Sequence, residues 1–139
     1  MLSIIVPVLR EAENLARLLP ALRAEAPGAE VIVADAGSDD GSREIAARVP
    51  GVTVLDCPRG RARQMNAGAA ACPDADVLLF LHAGTRLPDD ADTLVLAALS
   101  EGAAWGRFDV RIDGRSRWLP CVASMMNLRS RLTHIATGD

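Results

Sequence analysis

Four short polar or glycine-rich segments carry residue types suited to holding an anionic ligand. In Pro58–Gly68, PRGRARQMNAG, Arg59, Arg61 and Arg63 crowd the start of an expected helix. Unpaired backbone N–H groups and the helix dipole favour anions there, and arginine adds bidentate contacts to phosphate oxygens. Gly60 and Gly68 permit close backbone approach. The plain alternative for this segment is a solvated basic turn. In Phe80–Pro88, FLHAGTRLP, an apolar run ends on His82 and a loop containing Gly84, where ligands to a metal or a diphosphate could gather. A lone histidine is as readily an ordinary structural residue. In Val31–Ser42, VIVADAGSDDGS, the Asp35 carboxylate emerges where a strand should end and could accept hydrogen bonds from a base or ribose. Ser38 and Asp39 would cap the helix that follows. In Val6–Asn14, VPVLREAEN, backbone groups could read a flat base edge while Glu13 and Asn14 hold the loop. The alternative there is an acidic first helical turn that suits the helix dipole.

These segments need a frame, and the hydrophobic pattern supplies one. Ser3–Val8, Glu30–Asp35, Val52–Cys57 and Asp76–His82 are short apolar runs of the kind found in strands buried between helices. Between them lie helical segments at Glu11–Glu25, Ser42–Arg48, about Arg61–Ala71 and Asp89–Leu99. The first carries Leu15, Leu18, Leu19 and Leu22 on one face. A fifth strand is expected at Gly106–Ile112, where residues alternate, and a last helix at Arg115–Leu132 despite Pro120. The resulting βαβαβαβαβα order predicts an α/β fold with a mostly parallel sheet flanked by helices. Ligands of such sheets bind beyond the carboxyl ends of the strands. Each of the four polar segments falls at one of those ends.

Length and composition narrow the class. The 139 residues suffice for one domain with a real core, and half of them are apolar, so the chain is globular. Two Phe, two Trp and no Tyr leave the core to Ala, Val, Leu and Ile. A net charge of −3 argues against broad nucleic-acid binding, which normally needs a basic face. All 15 basic residues are Arg, so arginine content by itself says little and arginine position says more. Cys57, Cys72 and Cys121 are scattered and odd in number, which predicts neither a zinc site nor a disulfide framework but free thiols in a reducing cytoplasm. The sequence opens directly on a strand-like run without a charged leader. No apolar run reaches the roughly 18 residues of a membrane span. Trp118–Leu128 is the nearest approach, a helix for core packing or for peripheral contact with a membrane surface.

Taken together, the segments resemble family 2 glycosyltransferases of the GT-A fold, a Rossmann-like architecture that binds nucleotide-diphosphate sugars. VPVLREAENL is similar to their opening strand and acidic, Asn-containing turn. VADAGSDDGS is similar to their V-D-D-G-S-x-D-G-T motif, and FLHAGTRLP to their strand ending in an Asp-x-Asp metal motif. GRARQMNAG, GRFDV and the terminal ATGD resemble, more narrowly, a bacterial subfamily labelled radical-SAM/selenodomain-associated transferase 2. The resemblance runs from Met1 to Asp139.

It implies a single nucleotide-sugar-binding domain over 1–139, incomplete at its C-terminus because the family continues with acceptor-side elements. Pro7, Glu13 and Asp35 would contact the nucleoside of a UDP- or GDP-type donor, with Arg61 and Arg63 near the diphosphate. His82-Ala83-Gly84 falls on the Asp-x-Asp position, so Gly84 stands where a metal carboxylate is expected, and Ala36 replaces the second Asp of the Asp-Asp pair. Mg²⁺ or Mn²⁺, the cofactor the family implies, would thus lack its usual carboxylate. The arginines could offset the leaving charge instead. Asp139 matches the family's general base, which would take the proton from an acceptor hydroxyl in an inverting transfer. The residues name neither the acceptor nor a number of subunits.

Two other classes stay open. One is a degenerate, non-catalytic nucleotide-sugar-binding domain, favoured by Gly84, Ala36 and the short C-terminus. The other is a nucleotidyltransferase, which predicts a Gly-rich, Lys-containing loop after the first strand; VPVLREAEN holds neither residue.

Overall fold

The computed structural model describes residues 1–133. The chain divides into two compact units, Met1–Leu96 and Ala97–Asp139. The first holds a four-stranded, all-parallel sheet in the order β3-β2-β1-β4. Its elements are β1 (Leu2–Val8), α1 (Ala12–Glu25), β2 (Glu30–Asp35), α2 (Ser42–Ala47), β3 (Val52–Asp56), α3 (Arg61–Ala70) and β4 (Val77–Phe80). Helix α4 (Ala91–Ser100) spans the boundary between the units, and α5 (Leu119–Thr133) belongs to the second.

The central pair β1 and β2 is apolar almost throughout because both faces are covered. Ile4, Ile5, Val6, Val31 and Val33 are essentially inaccessible to water. The outer strands β3 and β4 hold only half-buried and exposed residues, as befits the edges of the sheet. Helix α1 buries Leu15, Leu18, Leu19 and Leu22, the stripe its spacing predicts. Each such leucine contributes about 1.5–3 kcal/mol of transfer free energy. Parallel pairing aligns the strand ends: Val8 lies beside Asp35, and Asp35 beside Asp56. Gly68 on α3 sits directly over Ile5 of β1, where a Cβ would collide with the isoleucine side chain. The absent side chain therefore lets α3 lie close on the sheet.

Two expectations need correction. Gly106–Ile112 forms no strand, and the reason lies within its own unit. The Asn127 side chain takes the place of a strand neighbour, its Oδ1 accepting from Val110 N at 2.8 Å and its Nδ2 donating to Val110 O at 2.9 Å. Arg107 reinforces the arrangement by donating to Asn127 Oδ1 at 3.2 Å and to Asn127 O at 3.1 Å. The last helix starts later than Arg115. Trp118 O accepts its first intrahelical bond, from Val122 N at 3.0 Å. Pro120 then falls in the first turn, where a missing N–H is tolerated. Among the described residues no helix is long and apolar enough to cross a membrane.

Candidate donor-binding cleft

Three chain segments meet at the carboxyl end of the sheet in an open cleft of about 380 Å³. Pro7, Val8, Leu9 and Glu11 come from the end of β1 and the turn after it. Gly60, Arg61 and Gln64 come from the start of α3, and His82, Ala83 and Gly84 from the loop after β4. In the order β3-β2-β1-β4 the chain leaves β1 toward β2 on one side, while β4 lies on the other. A crevice opens where strand connections diverge in this way.

The β1–α1 turn is held by the loop after β2. Arg10 adopts a left-handed backbone conformation (φ 57°), and its guanidinium donates twice to Asp39 at 2.7 Å. Its N–H donates to Ser38 Oγ at 2.9 Å. The first free N–H groups of α1 are capped from across the gap: Glu11 N donates to Ser42 Oγ at 2.9 Å and Ala12 N to Asp40 Oδ2 at 3.0 Å. Ser42 Oγ in turn donates to Asp40 Oδ1 at 2.5 Å. The hydrogen bond from Ser42 holds the Asp40 carboxyl below the usual carboxylate range, and the one from Arg10 does the same for Asp39. The serine and aspartates of GSDDGS therefore rivet one cleft wall to the next strand's loop. Asn14 Nδ2 donates to Glu11 Oε2 at 2.6 Å, which orients that carboxylate.

Of the residues singled out by the sequence, Pro7, Arg61, His82 and Gly84 line the cleft. Glu13 does not. It lies on the outer face of α1, almost fully exposed, 3.6 Å from Arg17. Its place in the wall belongs to Glu11. Arg63 is exposed and lies outside the lining residues. Asp35 is 1% exposed, and its carboxylate is engaged locally, accepting from Gly37 N and Ser38 N at 3.1 Å and from Ser38 Oγ at 2.5 Å. Asp139 lies outside the described residues. Glu11 and Gln64 were not singled out. A glutamine four residues before the sheet-facing Gly68 shares its helical face, which was the available signal.

Partial desolvation against the cleft wall, then the charge of Arg61, hold the His82 imidazole below its ordinary pKa, with Glu11 opposing them. The Mg²⁺ or Mn²⁺ implied by the resemblance requires several oxygen ligands. Beside the Gly84 loop stand one carboxylate, Glu11, and one imidazole, His82. No group of three His, Cys, Asp or Glu among the described residues is placed to hold an ion. These residues do not fit a divalent cation by themselves, and no step below is routed through one.

Comparison with known proteins agrees with this geometry. Residues 3–136 match the family model "Glycosyl transferase family 2". The succinoglycan biosynthesis protein ExoA of Rhizobium meliloti (strain 1021) is 38% identical over 109 residues, covering 72% of this chain and 33% of that protein. The chain thus spans about a third of the length of this curated relative. The crystal structure of S. aureus TarS residues 1–349 superposes with a TM-score of 0.57 at 16% identity, covering 81% of this chain and 40% of that one. A second TarS crystal structure gives the same TM-score, 0.57, at 19% identity over 72% of this chain and 19% of that one. These likenesses show the fold.

Proposed function

The chain belongs to glycosyl transferase family 2, and from that premise we propose that it transfers a sugar from a UDP- or GDP-type donor to an acceptor hydroxyl, with inversion at the anomeric carbon. One observation carries the reading: Pro7, Arg61, His82 and Gly84 converge from three segments on one cleft at the carboxyl end of a parallel sheet.

In this reading the nucleoside lies against Pro7 and Leu9, and the diphosphate lies by the N-terminus of α3, where Arg61 and free N–H groups meet its charge. Arg63 shapes the outer flank of that site. Asp35 is buried and its carboxylate accepts three loop bonds, so its first duty is to hold the rim. Glu11 does what the sequence assigned to Glu13. Asp139 is the general base that takes the acceptor proton as the hydroxyl attacks. The donor set leaves metal dependence weak, because arginine supplies the positive charge at the leaving group.

The protein works at the cytoplasmic side, as a peripheral visitor to the inner membrane. Its three free thiols suit a reducing compartment. Trp118, Val122, Met125, Leu128 and Leu132 form an exposed apolar stripe along α5. Arg115, Arg117, Arg129 and Arg131 are interspersed with it in sequence, Arg131 paired with Asp109, and no acidic residue lies between Gly114 and Thr133. That pairing of apolar and cationic surface suits an anionic lipid headgroup layer.

Calorimetric titration with UDP, GDP and their sugars, with and without Mn²⁺, tests the donor site, and donor turnover is assayed alongside. Saturable binding is expected, weakened about 10- to 100-fold by Arg61→Ala, the worth of one charge-assisted contact. Asp139→Asn should keep binding and abolish transfer. Binding without turnover in the unaltered chain would instead mark a donor-binding module, and no nucleotide binding at millimolar concentration would refute the donor site.

A further inference from the structure

Gln64 is the buried polar group of the cleft that no step above uses. It is 5% exposed, yet it lines the open space between the strand ends. Its Nε2 donates both hydrogens to the sheet, to Val8 O and to Ala34 O, each at 2.8 Å. Two backbone carbonyls can only be met by the NH₂ side of the amide, so the group cannot flip. Its Oε1 is therefore fixed as well, pointing away from those carbonyls. Among the described residues no donor reaches that oxygen. A ligand N–H that reaches this oxygen would supply the donor the protein does not.

Resting on the donor-site reading, we infer that Gln64 selects the nucleobase: its Oε1 accepts the ring N–H of a base whose N–H adjoins a carbonyl, as in uracil or guanine. Pro7 and the 40% exposed Leu9 offer apolar surface against which such a ring can lie. Cytosine and adenine present a lone pair at the equivalent ring nitrogen. They would meet Oε1 with repulsion and leave it unpaired, which is how a fixed polar group rejects a near-isostere. Because the backbone holds the amide, the oxygen cannot turn aside to accommodate them. The same two bonds join α3 to the ends of β1 and β2.

UDP and CDP have nearly the same size and the same diphosphate, so their comparison isolates the ring edge. With the full chain, UDP should bind about 10- to 100-fold more tightly than CDP. N3-methyl-UDP should lose a similar factor, while pyrophosphate competes equally against all three. In Gln64→Met the UDP-over-CDP preference should fall to near unity with pyrophosphate affinity kept, and that retained affinity reports an intact cleft. Should the variant fail to fold, the side-chain amide signals of Gln64 in the unaltered protein give a second reading. They should shift with UDP and stay in place with pyrophosphate or CDP. Equal binding of UDP and CDP would overturn the assignment, as would a preference that survives in a folded Gln64→Met or amide signals indifferent to UDP. Failure of every nucleotide to bind would remove the donor site itself, a different result from UDP and CDP binding alike.

Discussion

His82 shows how a single side chain in the cleft responds to its neighbours. Desolvation comes first and the Arg61 charge second in holding its pKa below the ordinary value, and Glu11 pulls the other way. A free imidazole titrates near 6.5, so this one is neutral at pH 7 and remains so further into acid. The unfolded chain takes up its proton first as pH falls. Folding stability therefore declines from about pH 6.5 down to the depressed native value, and is level below it. A bound diphosphate adds negative charge beside the same ring and raises its pKa. At pH 6 the complex should take up a fraction of a proton. Calorimetry in two buffers of different ionisation enthalpy will show this as a difference in apparent binding heat that disappears in His82→Gln. Equal heats in both buffers would mean the diphosphate lies elsewhere. Asp39 and Asp40 run on the opposite sign. Their pKa values are depressed, mainly by Arg10 and Ser42 respectively, so their contribution is full above about pH 4 and is lost as pH falls through the lower native values. Donor affinity, measured by titration at falling pH, should weaken modestly below about pH 4 as these exposed contacts are lost.

Among the elements, α3 carries both the arginine end of the cleft and its tightest contact with the sheet. Gly68→Ala would drive a methyl group into Ile5. Overpacking of this kind costs about 1–3 kcal/mol, and the gain in helix propensity returns about 1. A net loss of about 0–2 kcal/mol in urea unfolding is expected, with weaker donor binding because Arg61 and Gln64 shift with the helix. Gly28→Ala, whose added Cβ would meet nothing within 4 Å, should be close to neutral. The exposed apolar stripe of α5 should govern contact with lipid. Vesicles containing anionic lipid should bind the chain, neutral vesicles should bind it weakly, and Trp118→Ser with Leu132→Ser should remove binding. Retention on neutral vesicles alone would argue against the arginine flank.

β1 and β2 were legible because burial on both faces leaves a continuous apolar run, and α1 because its leucines recur at helical spacing. Gly106–Ile112 misled because alternation reports an extended segment, and cannot say whether its partner is another strand or the amide of Asn127. Glu13 and Glu11 are two residues apart, and positions so spaced do not share a helical face. The turn geometry that makes Arg10 left-handed decides which of them enters the cleft, and no local pattern encodes it. Arg61 was legible from its place at a helix start; the lock on Gln64 depends on two strands that only the fold aligns.

At the scale of the whole chain, the two units differ in what they bury. Met1–Leu96 encloses the inaccessible residues of β1, β2 and α1. Of the described residues in the second unit, Ala123 and Ser130 are buried, while Trp105, Trp118, Met125, Leu128 and Leu132 are each at least 58% exposed. Local stability follows buried apolar contact. Hydrogen exchange should therefore separate into two levels: amides of β1 and β2 opening only with global unfolding, and amides of α5 opening at a much smaller free energy. The difference bears on binding, because a ligand stabilises only the states that hold it. Every residue that lines the cleft belongs to the first unit. Saturating UDP should slow exchange at the start of α3, at the β1–α1 turn and at Leu81–Gly84, and raise the global level of β1 and β2 by the binding free energy. On this account α5 should exchange at its former rate with nucleotide present, and slow only when anionic vesicles are added. If UDP slowed α5 as well, donor binding and the second unit would be energetically coupled.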